Sequence, residues 1–337
     1  MVTIDVKDRK IIYELSLNSR QTNSQIAKKV GLSPQVTEYR INRLEKMDVI
    51  QGYYTCIDIS KIGYSIFKIY IKLQNLDEKK ETLMINDLKN NPNITWVASC
   101  DGEWDFYLVI WSKNIFQFHE IFTEINNKYS FYFSRKSIIA STSVIQFMRK
   151  HLAWNKKVID YSKIKWAGET SEVNLNEIDF KILLLISENA RLNDTKIGES
   201  IGVSRKVVAY RLKQLQEQKV IYGFKPVLNG KHLNYQTYKL FLTLQSLTKE
   251  KENQLIAYFN AHPNIIEVSY TMGNWELELD VESPSIDTNH DLIRELRNQF
   301  NDVIRDCDIM HVYKSHKYSY LPKGLPEIKT EIKGYKK

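Results

Sequence analysis

The stretch GLSPQVTEYRINRLEKMDVIQGY (Gly31–Tyr53) returns as GVSRKVVAYRLKQLQEQKVIYGF (Gly202–Phe224), 171 residues later. Sliding the chain against itself by 171 also aligns Asp8 with Asp179, Asn18-x-Arg20 with Asn189-x-Arg191, Pro92 with Pro263 and Gly102-x-Trp104 with Gly273-x-Trp275, without a gap from Asp8 to Trp104. Over residues 8–52 there are 16 identities in 45 positions, so the two halves descend from one module. A period this long is not a solenoid unit. The 337 residues are also too many for one small core, and two or more domains are expected. The repeat divides the chain into paired segments, 1–60 with 175–231 and 61–153 with 232–322. Residues 154–174 are expected to form an aperiodic polar linker, and 323–337 a flexible, Lys-rich tail.

The first segment of each copy is predicted to be helical. Asp5 followed by Asp8, and Asn176 by Asp179, are helix-start signals. Apolar residues then recur at helical spacing (Ile11, Ile12, Leu15; Ile182, Leu183, Ile186). Thr22 with Gln25 opens a short second helix, which Gly31 closes. Ser33 caps a third helix with Pro34 at its first position, and Val36, Ile41 and Leu44 are expected to face inward. Helix, short helix, Gly turn, helix is a helix-turn-helix, and the β-rich VIQGYYTCID that follows is expected to form a hairpin wing. Double-stranded DNA is the predicted partner, read by the third helix. The candidate contacts are Ser33, Gln35, Glu38, Tyr39, Arg40, Asn42, Arg43 and Lys46 in copy one, and Ser204, Arg205, Lys206, Tyr210, Arg211 and Lys213 in copy two. Gln, Asn and Arg can pair with base edges, whereas Lys and Ser mainly hold phosphates. Arg40 and Arg211 lie beside the core face, where they either grip phosphate or lock the helices internally.

The second segment alternates between strand and helix. YSIFKIYIKLQ places Phe67, Ile69, Ile71 and Leu73 on one face and Lys68, Tyr70 and Lys72 on the other. A helix ending at Asn-Asn-Pro, a hairpin around Asp101-Gly102, an amphipathic helix (Phe118, Ile121, Phe122, Ile125) and a final strand complete the order βαββαβ, a ferredoxin-like domain. The fold class is therefore α+β: a winged helix-turn-helix followed by a βαββαβ domain, twice over.

Charge supports the DNA expectation. The net +8 lies entirely in the first half, where residues 1–168 hold 25 Lys and Arg against 17 Asp and Glu, while residues 169–337 hold 23 against 23. A basic excess suits a polyanion, and its position predicts that copy one carries more of the phosphate binding. The three scattered cysteines (Cys56, Cys100, Cys307) form neither a disulfide framework nor a metal knuckle, the histidines show no ligand pattern, and no apolar run approaches a membrane span. No metal, cofactor or membrane partner is expected, and a cytoplasmic location is.

Taken together, Asp8…Ile11, Asn18-x-Arg20, Gly31-Leu32-Ser33-x-x-Val36-x-x-Arg40-x-x-x-Leu44, Val49-Ile50-x-Gly52 and the hairpin Gly102-x-x-Asp105 resemble the leucine-responsive/AsnC, or feast/famine, family of prokaryotic regulators, over nearly the full chain and twice. The resemblance implies a transcription regulator, not an enzyme, that pairs through its βαββαβ sheets and assembles into larger homo-oligomers. It also implies a small amino-acid-like effector at Gly102 and Asp105 and at Gly273 and Glu276. Family members usually carry one copy per chain, and Glu276 replaces the Asp of copy one, so equivalent effector sites are not expected. The alternative role for Gly102 and Gly273 is a tight turn.

One pattern concerns how the copies meet. Glu276, Glu278, Asp280 and Glu282 line one face of one strand in copy two, where copy one has Asp105, Tyr107, Val109 and Trp111. Opposed to Lys68 and Lys72, Glu278 and Asp280 would join the copies into an intramolecular pseudo-dimer; otherwise the row is an exposed acidic edge. Siroheme decarboxylases resemble the family in fold and pair two such modules. The hairpins here, SCDGEWDF and YTMGNWEL, lack the His and Arg that tetrapyrrole carboxylates call for. A metabolite sensor that does not bind DNA is the remaining alternative.

Overall fold

The computed structural model describes residues 3–153, 155, 157, 159–321 and 324. Of the tail expected over 323–337, only Gly324 falls within the described residues. Copy one begins with α1 (Val6–Leu17), α2 (Asn23–Val30), α3 (Pro34–Lys46) and β1 (Ile50–Ile57). It continues with β2 (Ser65–Leu73), α4 (Glu78–Asn90), β3 (Ile94–Gly102), β4 (Phe106–Ser112), α5 (Ile115–Tyr129) and β5 (Phe133–Phe147). A short β6 (Lys163–Trp166) follows. Copy two repeats the order with α6 (Glu177–Glu188), α7 (Asp194–Ile201), α8 (Arg205–Glu217) and β7 (Ile221–Leu228), then a one-turn α9 (Gly230–Leu233). It ends with β8 (Gln236–Leu244), α10 (Lys249–Ala261), β9 (Ile265–Met272), β10 (Leu277–Ser283), α11 (Ile286–Gln299) and β11 (Ile304–Tyr318).

Local chemistry sets the helix starts. Asp5 accepts from the Asp8 backbone N–H while Asp8 accepts from that of Asp5, and Asn176 and Asp179 reciprocate in the same way. Thr22 and Gln25 form a third capping box, Ser33 and Ser204 accept from the N–H groups of Val36 and Val207, and Gly31 and Gly202 end α2 and α7. These caps satisfy donors that have no partner within their helices.

The wing differs from the expected hairpin. β1 does not fold back within its own copy but pairs antiparallel with β7, from Ile50↔Leu228 to Ile57↔Ile221. The two helix-turn-helix units therefore share one two-stranded ribbon. The linker also differs, because residues 163–166 add β6 to the edge of β5.

The remaining strands run β2-β4-β3-β11-β8-β10-β9-β5-β6, and β2 also pairs with β5. That last pairing closes all but β6 into a ring. Two four-stranded sheets, one per copy, join edge to edge through β3–β11 and β5–β9. Strand alternation sorts the side chains. Phe67, Ile69 and Ile71 pack outward with Met84, Leu88 and Phe118 under α4 and α5. Leu240, Leu242 and Leu279 do the same with Phe259 and Leu296 under α10 and α11. The opposite faces (Tyr70, Tyr107, Phe241, Trp275) belong to one further core that also takes in both three-helix units. Each fully buried side chain of this size contributes about 1.5–3 kcal/mol by leaving water.

Candidate nucleic-acid interface

On α3 the buried residues are Thr37, Ile41 and Leu44, and on α8 they are Val208, Leu212 and Leu215. Val36, expected to face inward, is instead 42% exposed, because the i, i+4, i+7 set starting at Thr37 turns position 36 outward. Its counterpart Val207 is exposed as well, as are Tyr39 and Tyr210 at 68% and 59%. The same apolar pair thus faces solvent in both copies, alongside exposed Ser33, Gln35, Glu38, Asn42 and Lys46 on α3 and Ser204, Arg205, Lys206 and Lys213 on α8. Amide side chains beside an apolar contact can serve a helix lying in the major groove, the amides for adenine edges and the valine for a thymine methyl. Val36 and Val207 were not among the expected contacts. Their signal was the helical phase set by Thr37.

The arginines of α3 are held internally. Arg40 donates to Asp5 (2.7 Å) and to the buried Asp8 (2.9 Å), and Arg43 also bonds Asp8. Arg211 lies 3.6 Å from Asp179 in the matching place. The alternative left open for Arg40 and Arg211 therefore resolves toward a helix lock, and Arg43 joins it. By contrast, Arg205 and Lys206 at the start of α8 are exposed and form no ion pair with another described residue. On α3 the exposed Lys46 likewise forms no ion pair with another described residue, so each recognition helix keeps an uncommitted cation.

The repeated Asn-x-Arg motif fixes the two units against each other. Asn18 Oδ1 accepts from the Arg20 backbone N–H (2.9 Å), and this turn sends the guanidinium across to copy two. There Arg20 donates to Ala190 O (2.8 Å), Leu192 O (3.1 Å) and Asp194 (2.7 Å). Asn189 and Arg191 do the reverse, with Arg191 donating to Ser19 O (2.8 Å), Gln21 O (3.4 Å) and Asn23 Oδ1 (2.9 Å). Each guanidinium also lies over an aromatic ring of the shared ribbon, Arg20 on Phe224 and Arg191 on Tyr53. Arg191→Ala strands two carbonyls and is expected to lower unfolding free energy by about 2 kcal/mol, measured as a urea midpoint shift at unchanged slope.

The hairpin residues proposed for an effector are occupied otherwise. Asp105 accepts from Lys72 Nζ (2.6 Å) and the Leu73 backbone N–H (2.8 Å), and Glu276 accepts from the Leu244 N–H (2.7 Å), the position equivalent to Leu73. The longer carboxylate performs the same tie between hairpin and neighbouring strand. Gly102 and Gly273 have positive φ, 121° and 154°. A Cβ at Gly102 would sit 3.1 Å from Ile309 O, and one at Gly273 would sit 2.4 Å from the Ile139 side chain. Each glycine lets its hairpin slide under a strand of the other copy.

Inside the ring, Lys68 and Glu278 meet. Lys68 Nζ donates to Glu278 Oε1 (2.8 Å) and Ser269 Oγ (3.0 Å), Lys239 Nζ donates to the same Oε1 (2.7 Å), and the Tyr70 hydroxyl donates to Oε2 (2.7 Å). Burial alone would raise the Glu278 carboxyl, but the Lys239 and Lys68 ammonium groups bring it down to about 2. Lys72 and Asp280, expected to take part in the same cross-copy pairing, do not: Lys72 bonds Asp105 at the end of β2, and Asp280 bonds Lys239 of its own copy. Lys239, the copy-two counterpart of Lys68 on the same strand face, sits about 5 Å from the ring centres of Trp96 and Tyr107. Arg149 of copy one had no signal in the strand pattern, and it donates to buried Glu282 (3.0 and 3.1 Å). Among the described residues no three His, Cys, Asp or Glu side chains are grouped to hold a metal ion, and no helix is long and apolar enough to cross a membrane.

Comparison with known proteins agrees with this geometry. The winged helix-turn-helix DNA-binding family matches at residues 4–51 and again at 175–222. The chain is similar to an HTH-type transcriptional regulator of Pyrococcus furiosus, 31% identical over 130 residues that span 38% of this chain and 84% of the relative. It is also similar to the leucine-responsive regulatory protein of Rhizobium meliloti, 27% identical over 36% of this chain and 80% of the relative. The crystal structure of the siroheme decarboxylase NirDL superposes with a TM-score of 0.63 over 96% of each chain at 10% identity, a likeness of fold. A single family module accounts for most of each regulator, and this chain carries two. It belongs to the leucine-responsive/AsnC family of transcriptional regulators, as a tandem duplication within one polypeptide.

Proposed function

We propose that the chain is a sequence-specific DNA-binding regulator whose two copies form an intramolecular pseudo-dimer and read two unlike half-sites. The observation that carries this is the cross-copy lock beside the recognition helices. The ribbon β1–β7 and the reciprocal Arg20 and Arg191 clamps hold α3 and α8 in one fixed relation, while the side chains they expose differ. A homodimer must present the same helix twice and favours a palindrome. Here Gln35, Glu38 and Asn42 face solvent on one helix, with Lys206 and Lys213 at or near the matching places on the other. Half-sites about one helical turn apart, ~34 Å, or a multiple of it, are the geometric expectation.

The decarboxylase likeness does not favour an enzyme. It extends to fold alone, and the ring interior leaves a cavity of about 50 Å³ among side chains already paired with one another, Lys68 and Lys239 with Glu278 and Asp280, which is too small for a tetrapyrrole. An amino-acid effector at the hairpins would have to displace the bonds that Asp105 and Glu276 already make.

Selection of bound duplexes from a random pool, with non-specific competitor and stated salt, tests the proposal. The expected product is a bipartite, non-palindromic motif. Asn42→Ala should relax preference in one half by about 1–3 kcal/mol at a single base pair, and Lys206→Ala should weaken binding with little change of sequence preference. A palindromic motif, or no enrichment, would sink it.

A further inference from the structure

The segment joining the copies builds a site of its own. β6 pairs with β5 from Val144↔Trp166 to Phe147↔Lys163, and among the described residues its other edge is unpaired. Past it, the Ala167 N–H donates to Asp58 Oδ1 (3.0 Å), that of Ser171 to Ser60 O (2.9 Å) and that of Val173 to Lys61 O (2.8 Å). These bonds lace the segment onto copy one. Across from it stand the C-terminal end of α8 and the start of β7, and between the two walls lies a groove of about 970 Å³. One segment joins two copies, so the groove occurs once per chain.

Its lining combines two chemistries. Lys61, Lys163, Lys165 and Lys219 border it against two carboxylates, Asp58 and Glu169. Lys163, Lys165 and Lys219 are exposed, whereas Lys61 donates to Ser171 Oγ (2.9 Å). Asp58 is buried, and its Oδ1 already receives the Ser60 N–H, the Ser60 hydroxyl and the Ala167 N–H. The aromatic part is Trp166 with Tyr222, stacked at 5.7 Å between centroids and 24° between planes. The indole N–H of Trp166 is buried and makes no hydrogen bond.

We propose that this groove binds a small anionic ligand bearing a flat ring, of the nucleotide class, with its phosphates on the lysines and its ring against Trp166 and Tyr222. A bare phosphate would answer the cations and leave the aromatic wall wet, and a neutral ring would leave exposed Lys163 and Lys219 unanswered, while Lys165 lies within electrostatic reach of Glu252. The volume is that of small-ligand pockets. One wall belongs to the sheet ring and the other to the second helix-turn-helix unit, so an occupant bridges the two. It acts on α8 and not on α3.

The test is calorimetric titration of the full chain, without DNA, using ADP, pyrophosphate and adenosine as probes. ADP is expected to bind with a Kd below about 1 mM, and pyrophosphate and adenosine each about tenfold or more weaker. Lys163→Gln/Lys165→Gln/Lys219→Gln alters only exposed side chains and should weaken ADP by about tenfold or more at unchanged thermal stability. The proposal is overturned by any of three results: no heat with ADP to about 5 mM, the same ADP affinity in the triple variant, or pyrophosphate binding as tightly as ADP. With DNA absent from the cell, none of these results bears on the half-site proposal.

Discussion

Glu278→Ala is expected to lower the free energy of unfolding by about 3–5 kcal/mol at neutral pH, the usual cost of leaving a buried charge without its partner. Glu278 is 1% exposed and Lys68 is 5% exposed. Without the carboxylate Lys68 keeps only Ser269, and Lys239 keeps Asp280. The carboxyl is depressed from an ordinary 4.5 to about 2. Its contribution is therefore fully present above about pH 4.5 and is lost as the pH falls through about 2, so variant and wild type should converge in acid. Lys68→Met/Glu278→Leu, which removes both sides of the cross-copy pair, should recover most of the loss. A Glu278→Ala protein that unfolds at the wild-type urea midpoint would show that the carboxylate does not tie the copies.

In the pseudo-dimer proposed above, the same contact favours pairing within the chain over pairing like with like. The position equivalent to Glu278 is Tyr107 in copy one, whereas the lysines are equivalent, Lys68 and Lys239. Pairing copy one with copy one would bury two Lys68 side chains without a carboxylate. Pairing copy two with copy two would bring together two sets of Glu278, Asp280 and Glu267. Only the mixed pair balances, and like-with-like association is penalised by unpaired charge.

What could be read ahead of the structure depended on how local its cause was. Helix caps, the Thr37-to-Leu44 face aside, and the βαββαβ order follow from residues close in sequence, and they were legible. Strand alternation and the 171-residue offset put Lys68 and Glu278 on the polar faces of their strands, but left open whether that face meets the other copy or stands as an exposed acidic edge. Lys72 was misassigned because alternation cannot show where a strand leaves the ring, and at the end of β2 the carboxylate within reach is Asp105. β1 looked like half of a hairpin because a neighbouring strand is the usual partner, yet its partner is the copy of itself, β7. The Asn-x-Arg repeat was visible as a motif, but a clamp whose two ends lie 170 residues apart has no local signature. The linker showed no period because four residues of edge strand are too few to display one.

Glu267→Gln is expected to stabilise the protein at pH 8 by about 2–3 kcal/mol and to leave it nearly unchanged at pH 4.5. In the ring, Lys68 and Lys239 are balanced by Glu278 and Asp280, and Glu267 on β9 is the odd carboxylate. It borders a half-open cavity of about 50 Å³ shared with Trp96, Tyr107, Trp111 and Asp280. Its hydrogen-bond partner is the Gln146 amide at 3.4 Å. Burial pushes its carboxyl up to about 7, Asp280 adds to the rise, and Lys68 and Lys239 oppose it. From β7, Lys225 is also within electrostatic reach of Glu267, its own charge disfavoured by burial. With the folded value above the unfolded 4.5, the native state holds a proton that the unfolded chain has released. Stability is then full below about pH 4.5, declines as pH rises through 7, and levels off above it. Glutamine keeps the shape and amide contact of the protonated acid and removes the titration, so its curve should be flat where that of the wild type falls. Urea midpoints at pH 4.5, 6 and 8 decide the matter. Parallel profiles would mean that Glu267 is ionised throughout, and that Lys68 and Lys239 serve three carboxylates rather than two.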